Sequence, residues 1–493
     1  MKAFIALFIL NSFPQISADD SNPFDGVDPA TIKCDEKLLT DAGVPSADRW
    51  AAAGAEWALE VTNVNWGWYQ GTSDAGRLAY SEFVSNSFNA KEMMLCQNMG
   101  DGPCMDTVTC NEVNQPAGYL ILNSFAMLHM MHRNIWESLE SAMNKMQNSM
   151  SLFQTTFSPA ATPKSSGWLT DMITVFQFVV GIGSAFTWNI VLKDIELIAN
   201  AGAHAFAQEA ANGAIGMAFT LGKSHLPSAT GTDIQNDLTL AMGVLFDSWI
   251  EAETDILTQL FSGTNEDLVI LQGLVNDGLA LDTARHIKTD TFTEEAQKIV
   301  YSQLLPIAWR SSGKQLNAFP GMMMPMIMMV ADGNAVVDLV PKDDAGKMSV
   351  SYDGHKFFVG YPIKNSETVQ FYPLPGGTTD ELDGTKWGGI TIEDMVISAY
   401  EGWRLNGGKM GYEIPENSKI IDGAGTEGGL IFENGVRTPG FVKLPICTWA
   451  KVQSVTWEYY QTHMMGLLPD DVKEGLPCGD GSLMEDEMGD WGF

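Results

Sequence analysis

Residues 117–153 read AGYLILNSFAMLHMMHRNIWESLESAMNKMQNSMSLF, and the spacing of their apolar side chains decides the fold class. Phe125, Leu128, His132, Ile135, Leu139, Ala142, Met146, Met150 and Phe153 recur at steps of three and four. With about 3.6 residues per turn, those steps lay them along one stripe of a long amphipathic helix. A stripe of that length has to be covered by other elements, which points to a helical bundle. The segment 158–167 ends the helix, because Pro159, Pro163 and the small polar residues around them break the pattern.

Moving outward, a second stripe runs through Met242, Leu245, Trp249, Ala252, Ile256 and Leu260, after a polar connection over 223–233. Between the two stripes lies the charge-free run Met172–Leu192, MITVFQFVVGIGSAFTWNIVL, followed by a small-residue-rich stretch to Gly222. Small residues let backbones approach, so 172–222 is expected to form a hairpin of two close-packed helices. Its first arm is long enough to cross a bilayer. Phe176, Phe178, Gly181, Gly183, Phe186 and Trp188 therefore have two readings, a membrane-acting tongue like that of helical pore-forming toxins or the buried centre of the bundle. Gln177, Asn189 and Glu209, with no basic anchor at the tip, favour the buried centre.

Farther along, 263–330 reads as helical and finishes in a methionine-rich run from Met322 to Met329. The pattern then shortens to strands. Asp353-Gly354 sits between MSVSY and HKFFVGY, and Asn434-Gly435 between LIFE and VRT. Each pair predicts a hairpin, since both turn positions need positive φ. A helix is expected from an N-cap at Thr391, with Glu393 and Asp394 in its first turn, through Trp403 to a stop at Gly407-Gly408. Another is expected from Trp449 to Met465. The fold class is thus α+β: a large, mainly helical bundle with a central apolar helical hairpin, followed by a smaller mixed β region. The expected boundaries are a signal peptide at 1–18, a disulfide-bearing region at 19–116, the bundle at 117–330, the mixed region at 331–466 and an acidic tail at 467–493.

The opening residues combine Lys2, an apolar core from Ala3 to Leu10, and Ser17-Ala18 before two aspartates, which is the layout of a cleaved secretory signal. Cys34, Cys96, Cys104, Cys110, Cys447 and Cys478 make an even set outside that signal. In an oxidising compartment they are expected to pair, and six cysteines allow roughly 15 connectivities. Proximity along the chain favours Cys447 with Cys478 and leaves the other four to pair among themselves. Acids outnumber bases 61 to 28, a formal net charge of -33 that repels nucleic acid and anionic lipid and favours solubility outside the cell.

No motif carries a chemistry. His129 and His132, three apart on the long helix, lack the companions of a metal site, and His132 lies on the apolar stripe, so a core role is expected. Gly423, Gly425 and Gly428 match G-x-G-x-x-G but precede an expected strand where a dinucleotide fold needs a helix. Ser184 is not in a nucleophile elbow. The methionine run suits soft Cu(I) by ligand type, but methionine fills irregular cores more commonly. No catalytic, metal or cofactor residues are assigned.

Four stretches, GLVNDGLALD (273–282), LLPIAWRSSG (304–313), WGGITIEDMVISAYEGWRLNG (387–407) and LPIC (444–447), resemble a group of secreted fungal proteins carrying the domain of unknown function numbered 7872. The resemblance implies a fungal, extracellular protein and brings no catalytic motif with it. The expected function is therefore that of a secreted, non-enzymatic protein acting on an extracellular or host partner or a membrane. The alternatives are a membrane-acting, pore-forming-like toxin and a hydrolase whose dyad is assembled only in space.

Overall fold

The computed structural model describes residues 44–72, 76–100, 107–113, 115–159, 238–285, 289–313, 325–331, 340–365, 368–408 and 435–449, together with Cys34, Gly102, Cys104 and Met410. The expected apolar hairpin, the helix after Trp449 and the acidic tail lie outside the described residues, as does the expected signal peptide. The chain divides into two compact units. One takes the described residues up to Leu139 with those of Trp249–Phe292, and the other takes those of Glu140–Gly183, Leu226–Ser248 and Thr293–Phe493.

The first unit is helical. It contains α1 (Ser46–Ala52), α2 (Ala55–Gln70), α3 (Tyr80–Ser87), the short α4 (Cys110–Val113), and the parts of α5 (Pro116–Phe157) and α6 (Leu238–Leu260) that fall within its bounds. It closes with α7 (Asn265–Val275) and a 3-10 stretch, Asn276–Arg285. Gly54, at φ 64, separates α1 from α2. A left-handed residue cannot continue a right-handed helix, and glycine takes that conformation without a Cβ clash. The stripe of the long helix is buried as its spacing requires, Phe125, Leu128, Ile135 and Leu139 in this unit and Ala142, Met146, Met150 and Phe153 in the other. Disulfides join Cys34 to Cys110 and Cys96 to Cys104.

The second unit holds most of α8 (Thr289–Gly313), a five-stranded sheet and α9 (Ile392–Leu405). The strands are β1 (Met326–Ala331), β2 (Ser349–Tyr352), β3 (His355–Asn365), β4 (Thr368–Pro373) and β5 (Ile446–Thr448). The sheet order is β2-β3-β1-β5, with β4 pairing the far half of β3. All pairings are antiparallel except β1 with β5, which is parallel.

Two expectations for this unit are corrected. The methionine run ends as a strand, not a helix. Alternation along β1 sends Met326, Met328 and Val330 into a core with Met348, Phe358, Phe371 and Cys447, and pairing on both edges overrides methionine's helix preference. The expected strand after Asn434-Gly435 does not form: Gly435–Arg437 is a 3-10 turn that leads to contacts with α9, while Asn434 and the residues just before it lie outside the described residues. The Asp353-Gly354 hairpin stands as read, with φ 46 and φ 69 at its two turn residues.

The start of α9 also follows the reading. The Thr391 hydroxyl accepts from Asp394 N at 3.0 Å, and Thr391 N donates to the Asp394 carboxylate at 3.0 Å. At the other end Gly407 and Gly408, at φ 63 and φ 88, stop the helix.

Candidate functional site

The β2–β3 turn and the C-terminal half of α9 meet in the second unit and exchange tyrosines and carboxylates. Tyr352 and Asp353 are consecutive at the turn, and Tyr400 and Glu401 are consecutive on the helix. Tyr352 Oη donates to Glu401 Oε1 at 2.9 Å, and Tyr400 Oη donates to Asp353 Oδ2 at 3.0 Å. The positive φ at Asp353 makes this exchange possible, because the tight turn delivers a ring and the next carboxylate to the same side. Burial pushes the Tyr400 phenol up to about 12, helped by its bond to Asp353. Burial and Glu401 raise Tyr352 in the same way. Both phenols are therefore protonated donors at physiological pH, and both carboxylates are their acceptors.

Around this clasp the rings form a continuous group. Tyr352 packs edge-on to Tyr400 at 5.9 Å, and Trp403 stacks on Tyr400 at 6.0 Å with planes 23° apart. His355 leans on Tyr400 at 6.0 Å, and buried Phe357 supports Tyr400 from beneath at 5.0 Å. Tyr352, His355 and Trp403 are half-exposed, while Asp353 and Gly354 are exposed. His355 Nδ1 lies 2.7 Å from the Asp353 carbonyl, so that nitrogen carries the proton and Nε2 remains an acceptor in the neutral ring. Arg404 holds the second Glu401 oxygen through Nε at 2.9 Å and Nη2 at 2.7 Å. The result is a fixed surface of aromatic faces with carboxylate and imidazole acceptors at its edge. Such a surface suits a ligand with flat C–H faces and a rim of hydroxyl donors.

A second group of polar residues lies in the first unit. Asp277, at φ 55, and Glu56 on α2 are both raised, Asp277 by burial and Glu56 by burial followed by repulsion from Asp277 and Glu60. A raised carboxyl keeps a proton in the folded state that the unfolded chain has lost. Stability therefore falls as pH rises from the ordinary carboxyl value, near 4, through the raised one. Asp277→Asn keeps a residue that tolerates positive φ and removes the charge. It is expected to raise the melting temperature by about 1–2 °C at pH 7 and to match the parent near pH 3, as measured by calorimetry at both values.

Phe176, Phe178, Gly181, Gly183, Phe186, Trp188, Ser184 and the Gly423 to Gly428 motif lie outside the described residues. Cys447 is disulfide-bonded in β5, and its expected partner Cys478 lies outside the described residues. His129 and His132 are both buried. His129 Nδ1 donates to the Cys96 carbonyl at 3.1 Å, and burial pushes its imidazole down, toward the neutral form. His132 Nδ1 lies 2.5 Å from Glu253 Oε1. Among the described residues no group of three or more His, Cys, Asp and Glu is placed to hold a metal ion, and no helix is long and apolar enough to cross a membrane.

Sequence reasoning found the turn and the helix of the aromatic surface but not their meeting. The one available signal was a Tyr-acid pair in each, Tyr352-Asp353 and Tyr400-Glu401.

No protein-family model matches this chain, and no solved structure matches it. Two curated proteins of Penicillium expansum are similar to it. Probable chitinase LysM18 is 23% identical over 484 residues, 87% of this chain and 32% of that protein. Secreted chitinase LysM12 is 22% identical over 507 residues, 91% of this chain and 32% of that protein. The chain thus spans about a third of the length of the curated relatives it matches.

Proposed function

We propose that this chain is an extracellular, non-enzymatic glycan-binding protein of the fungal group with the domain of unknown function numbered 7872, and that Tyr352, Asp353, His355, Glu401 and Trp403 form its glycan contact, backed by the buried Tyr400. The observation that carries the reading is the half-exposed ring group held by crossed tyrosine–carboxylate bonds. Pyranose rings present C–H faces that pack on aromatic faces, and their hydroxyls donate to carboxylates and imidazole; the crossed bonds preorganise both, so little ordering is required on binding. The paired cysteines and the relative named a secreted chitinase support the extracellular setting. The two relatives named chitinases support an insoluble cell-wall polymer as the ligand class.

The test is depletion of the full chain from solution by insoluble chitin and by insoluble β-1,3-glucan. Trp403→Ala is expected to weaken binding to at least one polymer about tenfold, the size of one truncated aromatic anchor, with unchanged secretion. Parent protein that stays in solution with both polymers would sink the reading.

A second reading, a hydrolase, is favoured by one observation, two raised carboxyls in one unit, Asp277 raised by burial and Glu56 by burial and then by repulsion from Asp277, since a glycosidase acid has to hold its proton above the ordinary carboxyl range. Release of reducing ends from chitin oligosaccharides that Asp277→Asn abolishes would support it. Equal release by parent and variant, or none by either, would count against it.

A further inference from the structure

We infer that the solvent face of α2 carries a second glycan contact, a stacking platform for one neutral sugar ring centred on Trp68. The inference takes its ligand class from the glycan reading above but rests on different residues, in the other unit. Trp68 is 76% exposed and Val64, one turn earlier on the same face, is 59% exposed. Met93, Leu152 and Val269 are also large and exposed, but none of them sits on this helix.

The platform is held rigidly from behind. The Trp66 indole N–H donates to the Gly263 carbonyl at 2.7 Å, and its ring stacks on Tyr69 at 5.5 Å and meets Tyr80 edge-on at 5.5 Å. Tyr69 Oη accepts from Leu78 N at 3.1 Å, which ties down the turn that bears Trp68. The ring itself is open to solvent over most of its surface, and beside it a Cβ built at Gly67 would also meet nothing within 4 Å. An exposed indole on an ordered helix costs no ordering when a ligand arrives.

Size and charge select the occupant. A stable protein partner buries roughly 800 Å² per side, and two adjacent apolar side chains do not supply that. A membrane surface is disfavoured because helices that lie on bilayers carry Lys and Arg on their polar face. There is no Lys or Arg in α2, whose solvent side continues into exposed Glu56 and Glu60, and the chain's formal net charge is -33. The residues three and four away from Trp68, which are the ones that share its side of a helix, are Val64, Asn65, Gly71 and Thr72, and none of them is charged. One indole face with neutral hydrogen-bonding groups beside it matches the C–H face and hydroxyls of one neutral pyranose.

The experiment measures binding of the full chain to insoluble chitin and insoluble β-1,3-glucan for the parent, Trp68→Ala, Trp68→Phe and Trp403→Ala. Trp68→Ala is expected to bind about tenfold more weakly, Trp68→Phe to recover part of the loss, and both to melt with the parent because the ring is largely in solvent. Trp68→Ala binding like the parent overturns this inference and leaves the hairpin–helix reading standing. Loss with Trp68→Ala and normal binding by Trp403→Ala upholds it and overturns the other. A parent that binds neither polymer overturns both. Trp68→Ala that instead changes the sedimentation coefficient, or abolishes flotation with neutral-lipid vesicles, assigns the face to a second copy or to a bilayer and also overturns it.

Discussion

Gly402→Ala is expected to destabilise the second unit by about 3 kcal/mol or more, although alanine is the better helix former. A Cβ at Gly402 would lie 2.3 Å from Gly440 N and 2.4 Å from Gly440 Cα. Both are backbone atoms, and they cannot swing aside. Gly440 is held there by its N–H bond to the Ser398 carbonyl at 2.8 Å. The Ser398 hydroxyl adds a bond to the Thr438 carbonyl at 2.6 Å and accepts from Val442 N at 2.9 Å. Relief would therefore break several bonds between α9 and the segment that follows Gly435. Gly67→Ala in α2 is the matched control: its Cβ meets nothing within 4 Å, so it is expected to gain about 0.5–1 kcal/mol. Chemical denaturation of both variants checks the pair. Equal stability of Gly402→Ala and the parent would show that the close approach is not maintained in solution.

Asp394→Ala is expected to cost about 3 kcal/mol, mainly through the cations it leaves behind. The carboxylate is buried and bonds Arg437 Nε at 2.6 Å and Lys298 Nζ at 3.0 Å, besides closing the N-terminal cap of α9. Burial alone would push this carboxyl up, but Arg437 and Lys298 more than offset it and hold it below the ordinary range. A carboxyl lowered in the folded state contributes stability that is present above its unfolded value, near 4, and is lost as pH falls through the lowered folded value. The gap between parent and Asp394→Ala should therefore be full at pH 7 and shrink below about pH 4. Asp394→Asn, which can still accept from Thr391 N, should cost less than alanine. A gap that is constant from pH 7 to pH 2 would remove the charge network as its cause.

These two sites differ in how far they could be read from the chain. Thr391 and Asp394 stand three apart before an apolar run, and that pattern alone places a cap, because capping is a contact between near neighbours. Nothing near Asp394 in sequence indicates Lys298 or Arg437, which are brought to it from other segments. Likewise Gly402 reads as a weak point in a helix until Gly440 is placed against it.

The same division runs through the whole protein. The stripe from Phe125 to Phe153, the Asp353-Gly354 turn and the Gly407-Gly408 stop were legible because each depends on the periodicity or φ preference of a few consecutive residues. The methionine run was misread because methionine is compatible with either period, and the partners that made it a strand, His355–Gly360 and Ile446–Thr448, lie far along the chain. The exchange of Tyr352 and Tyr400 between Glu401 and Asp353 was also invisible, since the two dipeptides are separated by most of a sheet. Local order follows from steric and hydrogen-bonding preferences that each segment carries wherever it sits. The aromatic surface, the Asp394 network and the Gly402 contact arise only when packing spends chain entropy to bring distant segments within bonding distance.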